Sequence, residues 1–416
     1  VAQNETELAK LIGGGDAESA ASEIAPGIYV SPGISNAYLV ATDAGNVLVN
    51  SGIFFQSQVN QMRFAAFSSA PAKFLIFTQG HADHIGGAAA LASADTQIIA
   101  QANYPVVRGY WNRLGDFYAR RTRVLWSNLI GSRGELPKQP PDPEPDVLFD
   151  DRHVFELGGR RFELLATPGG ETTDSLVVWL PAERIVFTGN LFGPIFGHLP
   201  NLYTIRGDKI RSALRFLESL DRVRELDPEL MVTGHGEPIR GRDEIQSELA
   251  RIRNATQWLH DRTVDGMNAG KDVFALMREI RLPDELAVGQ GHGKTSWCVR
   301  AIFEEYAGWF HYRSTTELYP VPHESVYSDL VTLAGAEALV RRAREHSDAG
   351  RPVEALHLTD IVLSEAPADA SALAVRASAL ATLLERSGGE NFSEVQWLRS
   401  RLAQTREALG MEDEDQ

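Results

Sequence analysis

The chain has a single cysteine, Cys298, among 416 residues, so it can form no internal disulfide and build no cysteine-rich zinc knuckle. Any bound metal must be held by histidine, aspartate or glutamate. Long apolar runs are missing too: stretches such as Ala88 to Ala92 and Leu176 to Leu180 are far too short to cross a bilayer. No basic stripe is visible. The 40 basic residues stand against 56 acidic ones, a formal net charge of -16, whereas polyanions are bound through clustered lysine and arginine. The expectation is therefore a protein with no membrane span and no nucleic acid partner. No charged-then-apolar leader opens the chain, which starts at Val1, so the cytoplasm is favoured and secretion after removal of a leader stays open. Hydrophobic residues at 43% and charged residues at 23% are those of an ordinary globular chain, long enough for about two or three domains.

Residues 1–23 read as a polar lead-in around a glycine triplet at 13–15, and the texture changes at Ile24. Short β-branched and aromatic runs follow at 27–30, 36–40, 46–50 and 73–77, punctuated by proline, glycine and asparagine, and these are strand signals. A second set stands at 153–157, 161–165, 175–180, 185–187 and 230–232, with Leu157-Gly-Gly-Arg-Arg161 as a hairpin turn. Apolar spacing predicts helices over 56–66 and 210–225. Residues 101–145 read as a long irregular insertion, a lid or pocket wall rich in aromatics and arginine (Tyr110, Trp111, Phe117, Tyr118, Arg120, Arg121, Trp126) with prolines at 137–145. Two sets of strands with interleaved helices make 24–242 an α/β layer structure.

From 243 to 416 the chain is expected to be almost wholly helical, over 243–267, 271–280, 295–310, 325–349, 351–365, 367–386 and 392–409. The part between Gly335 and Arg386 resembles a pair of tetratricopeptide-like hairpins at a spacing of about 34 residues. Two such units make a packed appendage rather than a solenoid. The tail from Met411 to Gln416 is acidic and expected to be solvated.

Chemistry concentrates in Thr78-Gln-Gly-His-Ala-Asp-His-Ile-Gly-Gly87, directly after the apolar run 73–77. His81, Asp83 and His84 cannot share one face of a helix or strand at these spacings. A loop can aim them at different points of one site, as a metal cluster requires. Imidazole nitrogen and carboxylate oxygen are ligands that suit Zn²⁺.

This segment resembles the His-x-His-x-Asp-His signature of the metallo-β-lactamase superfamily. The likeness continues at Thr167-Pro-Gly-Gly-Glu171, Phe187-Thr-Gly-Asn190 and Thr233-Gly-His-Gly236. Glutamate in place of histidine after Thr-Pro-Gly resembles the zinc-dependent alkylsulfatase branch. So do Asn201-Leu-Tyr-Thr-Ile-Arg-Gly207, Ser296-Trp-Cys-Val-Arg-Ala-Ile302, Tyr306-Ala-Gly-Trp-Phe310 and Leu318-Tyr-Pro320. The resemblance spans roughly 24–409. It implies an αββα metallo-β-lactamase-like sandwich over 24–242, then an all-helical dimerisation region over 243–416 and a homodimer. The sterol-carrier-like domain that usually follows in alkylsulfatases is expected to be missing.

The same resemblance assigns Gln79, His81 and Glu171 to one metal position, Asp83, His84 and His235 to a second, and Asn190 to the bridging place. Three amides depart from the pattern: Gln79 replaces its first histidine, Asn190 its bridging acid, and Asn50 the aspartate of Ile-Asp-Thr-Gly. A carboxamide oxygen is a weak neutral ligand, so the first position is weakened and the second is intact. Three readings stand side by side: two zinc ions, one zinc ion at Asp83, His84 and His235, or a catalytically silent relative. Other divalent metals stay open.

In the active readings a zinc ion brings the pKa of a coordinated water towards roughly 7. Asp83 would ligate and orient that water, and Arg206 would hold an anionic group of a small-molecule substrate. Sulfate esters lead, with carboxylic esters, lactones or amides as the alternative. His198 is a candidate general acid, and His292, in Gly289-Gln-Gly-His-Gly293, a candidate substrate contact. His153 and Cys298 read as structural.

Overall fold

The computed structural model describes residues 6–13, 20–130, 139–209 and 211–411. The acidic tail from 412 onward, Gly14 and Gly15 of the glycine triplet, Ile210 and residues 137–138 of the proline cluster lie outside them. By contact the chain forms two compact units. One is built from residues 7–122 and 128–306, the other mainly from residues after Tyr306.

The first unit holds two sheets. The first runs β1 (Ser22–Ala25), β2 (Ile28–Ser31), β3 (Ala37–Thr42), β4 (Gly45–Val49), β5 (Ala72–Ile76), β6 (Gln97–Gln101) and β7 (Val147–Phe149), in that spatial order. Strands β1 to β4 pair antiparallel, and β4 to β7 pair parallel. The second comprises β8 (Arg152–Leu157), β9 (Arg160–Ala166), β10 (Leu176–Leu180), β11 (Ile185–Gly189), β12 (Leu230–Thr233) and β13 (Ile239–Arg240), again in sequence order across the sheet. Only β11 and β12 run parallel there.

Alternation along the strands makes the layers. Tyr38, Val40, Val47, Val49 and Ile76 face Leu164, Leu176, Val178, Phe187 and Val232 between the sheets. Their neighbours Leu39, Leu48, Leu75 and Phe77 turn outward onto Phe64, Ile85 and Tyr104 of the helical layer. Behind the second sheet, Val177, Trp179 and Met231 meet Phe216, Leu220, Ile245 and Leu249. Burial on both faces explains why these strands read as continuous apolar runs, and each such side chain contributes roughly 1.5–3 kcal/mol. The result is the expected αββα sandwich.

Several local expectations are corrected. Within the lead-in, Glu7–Gly13 is a helix with Leu8 and Ala9 buried. Strands β1, β6 and β7 had no strong signal. Within the stretch expected to be irregular, Tyr104–Arg113 and Gly115–Ile130 are helices, the first entered through Pro105, whose missing N–H costs nothing in a first turn. The long helix Arg242–Asn268, expected to open the helical region, joins the core behind the second sheet through Ile245, Leu249 and Ile252. The change to helical structure thus falls at 242, whereas the division between compact units falls after Tyr306.

The second unit stacks Ala336–Asp348, Pro352–Glu365 and Ala370–Arg386 around Val340, Ala343, Ala355, Val362, Ala372 and Val375. Phe392–Ala408 adds Leu398 and Leu402 against Leu380. The single helix expected over 325–349 is broken at Gly335, whose φ of 81° favours glycine. Its first part, Tyr327–Ala334, has no buried residue although it carries Leu330, Val331 and Leu333. No helix among the described residues is long and apolar enough to cross a membrane.

Candidate metal centre

The metal-signature residues leave the carboxyl ends of their strands at one end of the sandwich. Asn50 follows β4, and the loop 78–81 follows β5. Glu171 follows β9, Asn190 follows β11 and His235 follows β12. Gly189, at φ 53°, lets the end of β11 press on the β5 loop; a Cβ there would stand 2.3 Å from Thr78 Oγ1.

Asp83, His84 and His235 each offer a ligand atom to one point, all within 4.8 Å of one another. Asp83 Oδ2 stands 3.5 Å from His84 Nε2 and 3.6 Å from His235 Nε2. Burial pushes the Asp83 carboxyl up, but His84, His235 and His81 together outweigh it and hold its pKa below the usual value. Burial pushes His84 down to about 4, with partial relief from Asp83. His235 is lowered chiefly by burial as well. His235 Nδ1 lies 2.5 Å from the Ile34 carbonyl, which can only accept, so Nδ1 carries the proton and Nε2 presents its lone pair to the cluster. A carboxylate and two imidazoles converging in a largely buried corner fit a divalent cation.

The second group is tied differently. Gln79 Oε1 accepts the Asn190 backbone N–H at 3.2 Å, which turns the Gln79 amide nitrogen onto His81 Nδ1 at 2.7 Å. In this arrangement the Gln79 oxygen is engaged by the Asn190 N–H and its nitrogen faces His81. His81 Nδ1 also lies 3.5 Å from Glu171 Oε2. Asn190 points its amide nitrogen at Glu171 Oε2 and at His235 Nε2, each at 3.2 Å, while its Oδ1 is buried without a hydrogen bond. Glu171 is buttressed by His292 Nε2 at 2.8 Å and Arg211 at 3.5 Å. Burial works against its charge, yet Arg211, His292 and His81 hold its pKa well below the ordinary carboxylate range. The expected first position is a hydrogen-bonded cluster of donors around one anion.

Arg206 is half-buried. Its guanidinium stacks 4.9 Å over Trp111, which meets His81 edge-on at 5.8 Å, and it makes no ion pair among the described residues. That leaves a free cation beside the cluster. His198 is not brought to the ligands: its Nδ1 accepts the Gly291 N–H at 3.0 Å, and its Nε2 lies 3.5 Å from Glu7. It braces the loop that carries His292. His153 packs between Phe149 and Phe155, and Cys298 is buried with its thiol pushed up to about 12, both structural.

Three participants were not singled out from the sequence. Arg211 bridges Glu171, Asp208 and the Asn201 carbonyl. Asp174, whose pKa burial raises, sits behind the loop with Oδ2 unpartnered. Arg108 holds the Gly80 carbonyl of the signature loop at 2.9 Å. Arg211 follows Arg206 closely enough that the second arginine of that run was a usable signal. Nothing marked the other two.

Comparison with known families agrees with this geometry. Residues 30–235 match the Metallo-beta-lactamase superfamily, and residues 275–401 match the alkyl sulfatase dimerisation family. The chain carries a metallo-beta-lactamase domain followed by an alkylsulfatase dimerisation domain. A linear primary-alkylsulfatase from Pseudomonas sp. is 27% identical over 332 residues, 73% of this chain and 62% of that protein. An (R)-specific secondary-alkylsulfatase from Pseudomonas sp. is 23% identical, over 87% of this chain and 59% of that protein. The chain thus spans roughly six tenths of these relatives. The solved stereoselective inverting sec-alkylsulfatase Pisa1 from Pseudomonas sp. shares the fold, with a TM-score of 0.80 at 21% identity, covering 95% of this chain and 66% of that one.

Proposed function

We propose that the chain is a metal-dependent hydrolase that cleaves an ester-like bond in a small organic substrate bearing an anionic group, with sulfate esters as the leading class. The observation that carries this is the convergence of Asp83, His84 and His235 on one point beside the unpaired Arg206. Asp83, His84 and His235 would hold one zinc ion, and the amide orientation of Gln79 favours a single ion over two. Bound there, a zinc ion supplies a Lewis acid and lowers the pKa of water towards neutrality.

The remaining work belongs to the chain. Arg206 presents a permanently protonated fork to the anionic group, and Trp111 fixes the plane of that fork. Asp83 stays ionised, and its carboxylate would orient water by accepting a hydrogen bond from it. Glu171, clamped by Arg211 and His292, keeps a fixed negative charge in the site. Homodimerisation through the residues after Tyr306 is part of the proposal, supported by the matched dimerisation family and the unburied apolar helix Tyr327–Ala334.

Turnover of zinc-loaded protein on sulfate esters, carboxylic esters and lactones tests the reading. Sulfate release is expected, with KM rising about tenfold or more in Arg206→Ala for anionic substrates and little for neutral ones. Carboxylic ester or lactone cleavage without sulfate release would transfer the proposal to those substrates, and no turnover at all would remove it.

A further inference from the structure

We infer that Asn50 is a positioning residue that locks His84 in the tautomer carrying its proton on Nε2, so that a divalent cation enters the Asp83, His84, His235 cluster only by forcing the Asn50 amide to turn. The inference rests on the metal site proposed above and concerns how readily that site fills.

Asn50 is fully buried between two partners. On one side Thr78 donates its backbone N–H to Asn50 Oδ1 at 2.9 Å and its hydroxyl to the same oxygen at 3.0 Å. A backbone N–H can only donate, so the oxygen of the amide must lie on this side. The amide nitrogen then falls on the other side, 3.0 Å from His84 Nδ1. Amide nitrogen only donates, so Nδ1 must receive and can carry no proton. The remaining proton of the neutral ring therefore sits on Nε2. That atom faces Asp83 Oδ2 at 3.5 Å and is sealed from water without a hydrogen bond.

The two imidazoles at this focus are thus set in opposite senses. His235 gives its Nδ1 proton to the Ile34 carbonyl and offers a lone pair inward. His84 offers an N–H. For His84 to ligate through Nε2, its proton must move to Nδ1 and Asn50 must turn its oxygen to receive it. The amide nitrogen would then face the Thr78 N–H, donor against donor, in a buried site. The backbone cannot drift to relieve this, because Asn50 N–H is held by the Ile76 carbonyl at 2.8 Å and the residue sits at φ 58°. An aspartate at this place, with two acceptor oxygens, would satisfy Thr78 and a His84 Nδ1–H at once. Aspartate also tolerates the left-handed backbone, so Asn50→Asp is a near-isosteric release of the lock.

The metal-free full chain tests the tautomer directly and needs no variant. Long-range ¹H–¹⁵N NMR, with the His84 ring assigned by its loss in His84→Ala, should show the Nε2–H pattern in the wild type and the Nδ1–H pattern in Asn50→Asp. A wild-type ring already protonated on Nδ1 overturns the inference. Calorimetric zinc titration should then find Asn50→Asp tighter by about 10- to 100-fold. A switched tautomer with unchanged zinc affinity would show that the lock does not oppose the cation and also overturns it. Zinc binding indifferent to His235→Ala would instead remove the metal site itself, with the affinity half of the inference, while the NMR pattern still decides the tautomer.

Discussion

Arg108 is a nearly buried cation with two duties. Its Nη1 donates to the Gly80 carbonyl at 2.9 Å, and its Nε and Nη2 clasp Asp142 at 2.9 and 2.6 Å. Asn112 adds a third bond to the same carboxylate at 2.7 Å. Burial raises the Asp142 pKa, but Arg108 and Asn112 outweigh it, so the folded value lies below the unfolded one. The stabilisation is therefore full above the unfolded value of about 4 and fades as pH falls through the folded pKa. Asp142→Asn should cost about 1–3 kcal/mol in urea unfolding at pH 7, since it leaves a buried guanidinium half-paired. The gap to wild type should narrow as pH drops below about 4, and a gap independent of pH would refute the pairing. At this scale the sequence was informative where chemistry is local. His81, Asp83 and His84 lie within four residues, and the structure brings Glu171, Asn190 and His235 to them. What could not be read is orientation. Gln79, Asn50 and Asn190 all show an amide in the sequence, and only the Asn190 and Thr78 backbone N–H groups decide which atoms Gln79 and Asn50 present.

Among the elements, Arg242–Asn268 was expected to open the helical region. The chain from 243 onward reads as almost wholly helical, yet Ile245, Leu249 and Ile252 of this helix are fully buried behind β11 and β12. Leu249→Ala should therefore destabilise the sandwich by about 2–5 kcal/mol, the usual cost of a cavity in a close-packed core. Differential scanning calorimetry of the full chain would register it as a lowered transition accompanied by earlier loss of zinc binding; a change confined to the residues after Tyr306 would contradict the placement. Strands β3, β4, β5 and β10 were legible because burial on both faces leaves nearly continuous apolar runs. β6 offers only Ile98, Ile99 and Ala100 between glutamines, and it becomes a strand because β5 and β7 supply partners on both sides. The helix Gly115–Ile130 hid behind its arginines, whose long side chains outnumber the buried Tyr118 and Leu125.

For the whole molecule, several of the most exposed large apolar side chains among the described residues fall in one stretch of sequence. Trp309 is 73% exposed, Tyr312 89% and Leu333 84%, with Tyr319 and Val321 also open, and all belong to the unit after Tyr306. Large apolar side chains left open in one stretch of sequence are candidates for a contact surface, and symmetric self-association is the commonest form of oligomer contact. If the proposed homodimer uses this surface, the double variant Trp309→Glu, Leu333→Glu should halve the mass seen in sedimentation velocity. Its helical circular dichroism should be unchanged, because neither side chain is buried within its own chain. Introducing a carboxylate into an apolar contact costs several kcal/mol by desolvation, enough to split a dimer of ordinary affinity. Persistence of the dimer in that variant would place the contact elsewhere on the helical unit, and a monomeric wild type would remove the dimer from the proposal altogether.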